Sequence, residues 1–176
     1  MLFNQDQEKV LSLANNISLL LLDVDGVLTD GKLYYSSAGE EIKAFSTLDG
    51  HGLKMLMRAG IAVGIITGRR SKAVETRSSE LGIKTLFQGQ QDKMDALSQI
   101  LDQHELQPEQ VAYVGDDLPD LPVLRHVGLS FSVATAHPAI KTEVDAIAEW
   151  PAGQGAVREI CDFLLRTHNK GHDYLA

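Results

Sequence analysis

Short apolar runs alternate along the chain with stretches whose hydrophobic residues recur at helical spacing, and this alternation sets the predicted architecture. An apolar strand is predicted over 17–23, containing Leu19-Leu20-Leu21-Leu22. Comparable runs follow at Ile61-Ala62-Val63-Gly64-Ile65-Ile66, Ile83-Lys84-Thr85-Leu86-Phe87, Val111-Ala112-Tyr113-Val114 and Leu129-Ser130-Phe131-Ser132-Val133. Continuous apolar runs of this length fit strands covered on both faces. Helices are predicted over 4–15, with Val10, Leu11 and Ala14 on one side, and over 51–59, where Leu53, Leu56 and Met57 share a face and Gly60 stops the helix. Further helices are predicted over 71–81, ended by Gly82, and over 92–104, 119–126 and 155–167.

One segment breaks the pattern. From Lys32, Lys-Leu-Tyr-Tyr-Ser, then Ser-Ala-Gly-Glu, then Glu-Ile-Lys-Ala-Phe reads as a β-hairpin over about 32–45 with Gly39 in its turn, inserted after the first strand. The remaining elements predict an α/β fold, a Rossmann-like parallel sheet with helices on both faces and a ligand site beyond the carboxyl ends of the strands. The polar end, Asn169 to Ala176, is expected to be disordered in isolation.

Composition narrows the function. With 176 residues, 44% of them hydrophobic, a single domain with a full core is expected. A net charge of −8 and a pI near 5.1 argue against non-specific binding to nucleic acid or anionic membrane. Cys161 is the only cysteine, which excludes an internal disulfide and a multi-cysteine zinc site. With neither a signal-like start nor a run near the roughly 20 apolar residues of a spanning helix, a cytoplasmic location is expected.

The chemistry starts at the end of the first strand. Asp23 and Asp25 are spaced i, i+2, so both point to one face and converge on one volume. Two unit charges about 4 Å apart repel by roughly 4 kcal/mol at an effective dielectric near 20, so such a pair binds a cation or holds a proton. Further signals follow in order. Thr67-Gly68-Arg69 ends the second strand, Lys93 lies near the start of a helix, and Gly115-Asp116-Asp117 with Asp120 ends the fourth strand.

This ordered set, DxD, Thr, Lys and GDxxxD, resembles the haloacid dehalogenase superfamily of aspartate-nucleophile phosphohydrolases. The resemblance implies that Asp23 attacks phosphorus, and that Asp25 protonates the leaving oxygen and later activates water. It implies Mg²⁺ held by Asp23, the Asp25 carbonyl and Asp116, with Thr67 and Lys93 on the transferring group. Ionised Asp23 and Asp116 with a phosphate dianion total −4, against +3 from Mg²⁺ and Lys93, so without the metal the site should repel its substrate.

Over roughly residues 17–166 the chain further resembles the 3-deoxy-D-manno-octulosonate 8-phosphate phosphatases of lipopolysaccharide biosynthesis. The likeness rests on DVDGVLTDG (Asp23–Gly31), GEEIKAF (Gly39–Phe45), LDGHGLK (Leu48–Lys54), GIAVGIITGRRS (Gly60–Ser71), LGIKTLFQG (Leu81–Gly89), AYVGDDLPDLPV (Ala112–Val123) and GAVREICDFLL (Gly155–Leu165). It implies that Ser46, Thr47, Leu48, Asp49 and Gly50, with Lys54, contact a sugar acid, and that Arg69 and Arg77 bind substrate anions. Pro151-Ala152-Gly153-Gln154-Gly155 keeps only part of the family's glycine pattern. Only 37 residues separate Thr29 from Thr67, so a full cap domain does not fit and the capless type is expected. The resemblance also implies a homotetramer with hairpins packed between subunits; Leu33, Tyr34, Tyr35, Ile42 and Phe45 make the hairpin more apolar than a solvated ribbon requires.

Rival readings remain open. A phosphatase for a nine-carbon sugar acid phosphate of the sialic acid type would share fold and catalytic set. A signalling receiver domain would carry its acceptor aspartate at a middle strand end, whereas the second and third strands here end in Thr67 and Phe87-Gln88. A catalytically dead interaction module would not need every catalytic type retained. Asp120 is expected to orient neighbours rather than bind metal, and His51 to have a structural or rim role. His104, His126, His137, His168 and His172 lack metal-ligand spacing. Cys161 and Trp150 are expected in packing, and Arg58, Arg70 and Lys72 at the surface.

Overall fold

The computed structural model describes residues 1–168, so the expectation for the polar end at 169–176 lies outside the described residues. A short strand β1 (Leu2–Phe3) precedes helix α1 (Gln7–Ala14), whose N-cap Asp6 accepts from Lys9 N–H. Then come β2 (Leu19–Leu22), the hairpin strands β3 (Tyr34–Tyr35) and β4 (Glu41–Ile42), α2 (Thr47–Arg58), β5 (Ala62–Thr67), α3 (Lys72–Leu81), β6 (Thr85–Gln88) and α4 (Lys93–His104). The described residues continue with β7 (Val111–Val114), α5 (Leu121–Leu124), β8 (Leu129–Val133), α6 (Pro138–Lys141), β9 (Ala146–Ala148) and α7 (Ala156–Thr167).

Seven strands form one sheet in the order β1-β9-β8-β7-β2-β5-β6, parallel throughout except for β1, which runs antiparallel to β9. The expected α/β sheet is therefore mixed at one edge. β1, α6 and β9 were not expected; they are short elements whose two to four residues carry no readable periodicity. The expected helix over 119–126 resolves into a 3-10 turn at Leu118–Asp120 followed by α5, because Pro119 and Pro122 withhold two N–H donors.

The period-2 rule divides β2 between two cores. Leu20 and Leu22 join Val10, Leu53, Val74 and Val157 on the face covered by α1, α2, α3 and α7. Leu19 and Leu21 join Leu97, Ile100, Val123 and Ile140 under α4, α5 and α6. β2 thus lies at the point where the connections diverge, to β5 and β6 on one side and to β7, β8 and β9 on the other. A crevice opens beyond its carboxyl end.

The helix expected over 51–59 begins four residues earlier, at Thr47, with Ser46 Oγ accepting from Asp49 N–H. The hairpin is present, but its strands are only two residues each. Its apolar side chains stay outside, with Leu33, Tyr34, Tyr35 and Ile42 between 41% and 56% exposed.

Candidate active site

Asp23 leaves β2 as part of the sheet, its N–H donating to Val114 O at 3.0 Å, and the residue is 8% exposed. Lys93, the first residue of α4, reaches it with Nζ 3.0 Å from Asp23 Oδ1 and 2.6 Å from Asp120 Oδ1. Asp23, Asp25, Thr67, Gly68, Arg69, Lys93, Asp116 and Asp120 line one cleft of about 310 Å³ beyond the ends of β2, β5 and β7. The catalytic and metal residues expected from the motifs thus meet in one place.

Burial and crowding set the charge states. Burial pushes Asp23 up to about 6, although Lys93 pulls the other way. Burial, then the charges of Asp23 and Asp120, push Asp116 up to about 7. Burial alone would lower Lys93, but Asp23 and Asp120 overcome it and raise the ammonium above its ordinary value.

Asp120 is fully engaged. Its Oδ1 accepts from Lys93 and from the Tyr113 hydroxyl at 2.6 Å, and its Oδ2 from Asp116 N–H (3.0 Å) and Asp117 N–H (3.2 Å). Ser132 Oγ donates to Gly115 O at 2.7 Å and His137 N–H to Asp116 O at 2.8 Å, so the main chain of the 115–117 loop is held on several sides.

A divalent cation fits this donor set. Among the described residues, Asp23, Asp116 and Asp120 bring carboxylate oxygens within 4.8 Å of one another. Asp120 has its bonds filled, whereas Asp116 Oδ1 is buried without a hydrogen-bond partner, which is costly unless a ligand meets it. Gly26, at φ +91°, leaves room for that carboxylate; a Cβ there would collide with it. Asp23 and Asp116 are therefore the side chains available to a cation.

The hairpin supplies contacts that sequence reasoning missed. Lys43, its side chain 2% exposed, pairs with Asp25 Oδ1 and lies 3.5 Å from Glu41. Arg69 bonds Glu41 at 3.0 Å and the Tyr35 hydroxyl at 3.3 Å, and stands 3.8 Å from Asp25 Oδ2. The available signal was a lysine in GEEIKAF at a position facing away from Ile42 along the strand. Tyr113 offered less, since it sits in an apolar strand as packing would require.

In a single chain the expected substrate loop lies apart from this cleft. Ser46, Thr47, Leu48, Asp49, Gly50 and Lys54 do not line it, because 46–50 forms the cap and first turn of α2 and Lys54 lies further along that helix. Asp49 is 1% exposed, and its Oδ1 accepts from Arg158 N–H at 2.8 Å, with the N–H groups of Gly155 and Val157 also acting on the carboxylate. It caps α7, whose own N-cap position is Gly155 and has no side chain to offer. Burial nonetheless holds Asp49 above the usual carboxylate range. Gly50 is packed under the Arg77 guanidinium, which donates to Ser46 O at 3.3 Å and to Glu80 at 3.3 Å. Arg77 is likewise outside the cleft. Thr47 and Leu48 are exposed. Cys161 is buried as expected, its thiol held well above the ordinary value by burial, whereas Trp150 is 52% exposed and only partly a packing residue.

Comparisons with known proteins show the family. The haloacid dehalogenase-like hydrolase family profile matches residues 86–160. The 3-deoxy-D-manno-octulosonate 8-phosphate phosphatase KdsC of Escherichia coli (strain K12) is 50% identical over 161 residues, covering 92% of this chain and 86% of that protein. A crystal structure of the phosphatase of that name from Yersinia pestis superposes with a TM-score of 0.92 at 48% identity, covering 94% of this chain and 89% of the other. The Moraxella catarrhalis phosphatase, solved in complex with magnesium ion, phosphate ion and KDO, superposes with a TM-score of 0.94 at 39% identity, covering 97% and 98% of the two chains.

Proposed function

Because this chain belongs to the 3-deoxy-D-manno-octulosonate 8-phosphate phosphatase family of haloacid dehalogenase-like hydrolases, and is thus a phosphoric monoester hydrolase, we propose that its substrate is 3-deoxy-D-manno-octulosonate 8-phosphate. The products are the free sugar acid and phosphate, formed in the cytoplasm as a step of lipopolysaccharide biosynthesis. The observation that carries this reading is the convergence of Asp23, Asp25, Thr67, Lys93 and Asp116 on one cleft. The Moraxella relative solved with magnesium, phosphate and KDO supports the choice of metal and sugar acid.

The Asp23 and Asp116 carboxylates and the Asp25 main-chain carbonyl would hold Mg²⁺, which supplies positive charge against the phosphate dianion and the two carboxylates. An oxygen of Asp23 attacks phosphorus in line, and the bond from phosphorus to the sugar oxygen breaks. Asp25 passes its proton to that departing oxygen, leaving an aspartyl phosphate on Asp23. Water then gives a proton to Asp25 and attacks phosphorus, releasing phosphate and restoring the Asp23 carboxylate. Lys93 faces the charge that builds on the phosphoryl oxygens, and the Thr67 hydroxyl with the N–H groups after it hydrogen-bonds them. Arg69, 3.8 Å from Asp25 and partly exposed, is placed to meet the substrate as it enters.

The residues that one chain leaves outside the cleft favour an assembly. We place Ser46, Thr47, Leu48, Lys54 and Arg77 in substrate binding through subunit packing, while the buried Asp49 and Gly50 shape α2 and do not touch the sugar. The exposed apolar hairpin supports a homotetramer in which hairpins pack between subunits.

Steady-state kinetics test the whole reading. Phosphate release would be measured from 3-deoxy-D-manno-octulosonate 8-phosphate, a nine-carbon sugar acid phosphate and an aryl phosphate, with Mg²⁺ and with chelator. The expected result is the highest kcat/KM on the eight-carbon substrate, loss of activity with chelator, and no turnover by Asp23→Asn. Preference for the nine-carbon compound would overturn the substrate, and full activity under chelator would overturn the metal.

A further inference from the structure

Tyr113 lies in the middle of β7, fully buried beneath α4 and α5 with Leu97, Ile100 and Val123. Packing at that position asks only for an aromatic ring, and a hydroxyl taken out of water is unfavourable unless it is bonded. Here it is bonded twice. Tyr113 Oη donates to Asp120 Oδ1 at 2.6 Å and accepts from Lys93 Nζ at 3.3 Å.

The consequence lies in how Lys93 is held. Lys93 Nζ stands 2.6 Å from Asp120 Oδ1 and 3.0 Å from Asp23 Oδ1, and Tyr113 Oη, 3.3 Å from the ammonium, holds that same oxygen of Asp120. Fixing Asp120 Oδ1 thereby fixes the ammonium beside the carboxylate that reacts. Tyr113 also holds one oxygen of Asp120, whose other oxygen receives the N–H groups of Asp116 and Asp117. One hydroxyl therefore links the Lys93 side chain to the loop that presents Asp116.

We propose that Tyr113 is a positioning residue for phosphoryl transfer, acting through Asp120 to fix both Lys93 and the Asp116 loop. The proposal rests on the phosphatase reading above. It concerns a residue that touches neither substrate nor metal.

The test is Tyr113→Phe, which removes the hydroxyl and keeps the ring. The expected result is a kcat about tenfold lower, the order of magnitude of one lost hydrogen bond to charged groups, with KM changed less than kcat. Mg²⁺ affinity, measured by calorimetry without substrate, should weaken several-fold. In an Asp120→Ala background the same substitution should change kcat far less, since the route through Asp120 is already lost. Val111→Ala, on the same face of the strand, controls for packing: it should lower Tm without a comparable loss of kcat per folded molecule. A Tyr113→Phe enzyme with kcat within twofold of the parent would overturn the proposal, as would equal losses in both backgrounds or a loss matched by Val111→Ala at equal Tm. A parent protein with no phosphatase activity would instead remove the functional reading itself.

Discussion

Replacing Asp49 by alanine should separate a helix cap from a substrate ligand. The Asp49 carboxylate sits inside the α2–α7 contact, where its Oδ1 accepts from Arg158 N–H at 2.8 Å. Arg158 belongs to the first turn of α7, whose N–H groups have no partner within the helix, and the N-cap Gly155 brings no capping side chain. Losing a cap costs about 1–2 kcal/mol. Counted as a buried N–H left unsatisfied, the same loss is about 1–3 kcal/mol. In a domain where each kcal/mol shifts Tm by roughly 2–4 °C, this predicts a fall of about 2–12 °C. Asp49→Asn keeps an acceptor without the charge and should lose less than half as much. Thermal unfolding by calorimetry, paired with KM for the sugar acid phosphate, decides the matter. The cap assignment predicts a lower Tm and an unchanged KM per folded molecule; an Asp49→Ala protein that melts like the parent but shows a raised KM would refute it.

Three other predictions concern the metal site and the hairpin. Asp23 and Asp116 titrate near about 6 and 7 in the folded protein against an ordinary 3.8, so between those limits the folded state keeps protons that the unfolded chain has released. Stability of the metal-free protein should therefore fall as pH rises from about 4 to 7, and Mg²⁺ should raise Tm more at about pH 8 than at about pH 5; equal gains at both would contradict this. Gly26→Ala adds a Cβ that collides with the Asp116 carboxylate at a φ of +91°, and should weaken Mg²⁺ binding in calorimetry by about tenfold or more, while parental affinity would show that Asp116 need not occupy that space. Sedimentation velocity should find four chains together and Ile42→Asp should break them apart, whereas a parent protein that sediments as a monomer would exclude hairpin-mediated assembly.

What could be read from the chain alone were the features that depend on local periodicity and on order. The apolar runs expected at 17–23, 61–66, 111–114 and 129–133 became parallel strands because a strand covered on both faces must be apolar throughout, and the mixed run at 83–87 became the half-buried edge strand β6. Asp23, Thr67, Lys93 and Asp116 could be brought together on paper because strands running parallel in one sheet end on the same side. The tertiary structure decided what depends on contacts across long separations. Asp49 could not be recognised as a cap for a helix starting more than a hundred residues later, since a buried carboxylate and a ligand-binding one look alike in one dimension. Lys43 against Asp25 and Tyr113 against Asp120 were hidden for the same reason, a polar group on a strand being readable as solvated or as packing. The short strands β1 and β9 owe their existence to the strands they pair with, β1 to β9 and β9 to both β1 and β8, rather than to any preference of their two or three residues. Local pattern chooses the elements; which polar group is buried against which follows only from how those elements pack.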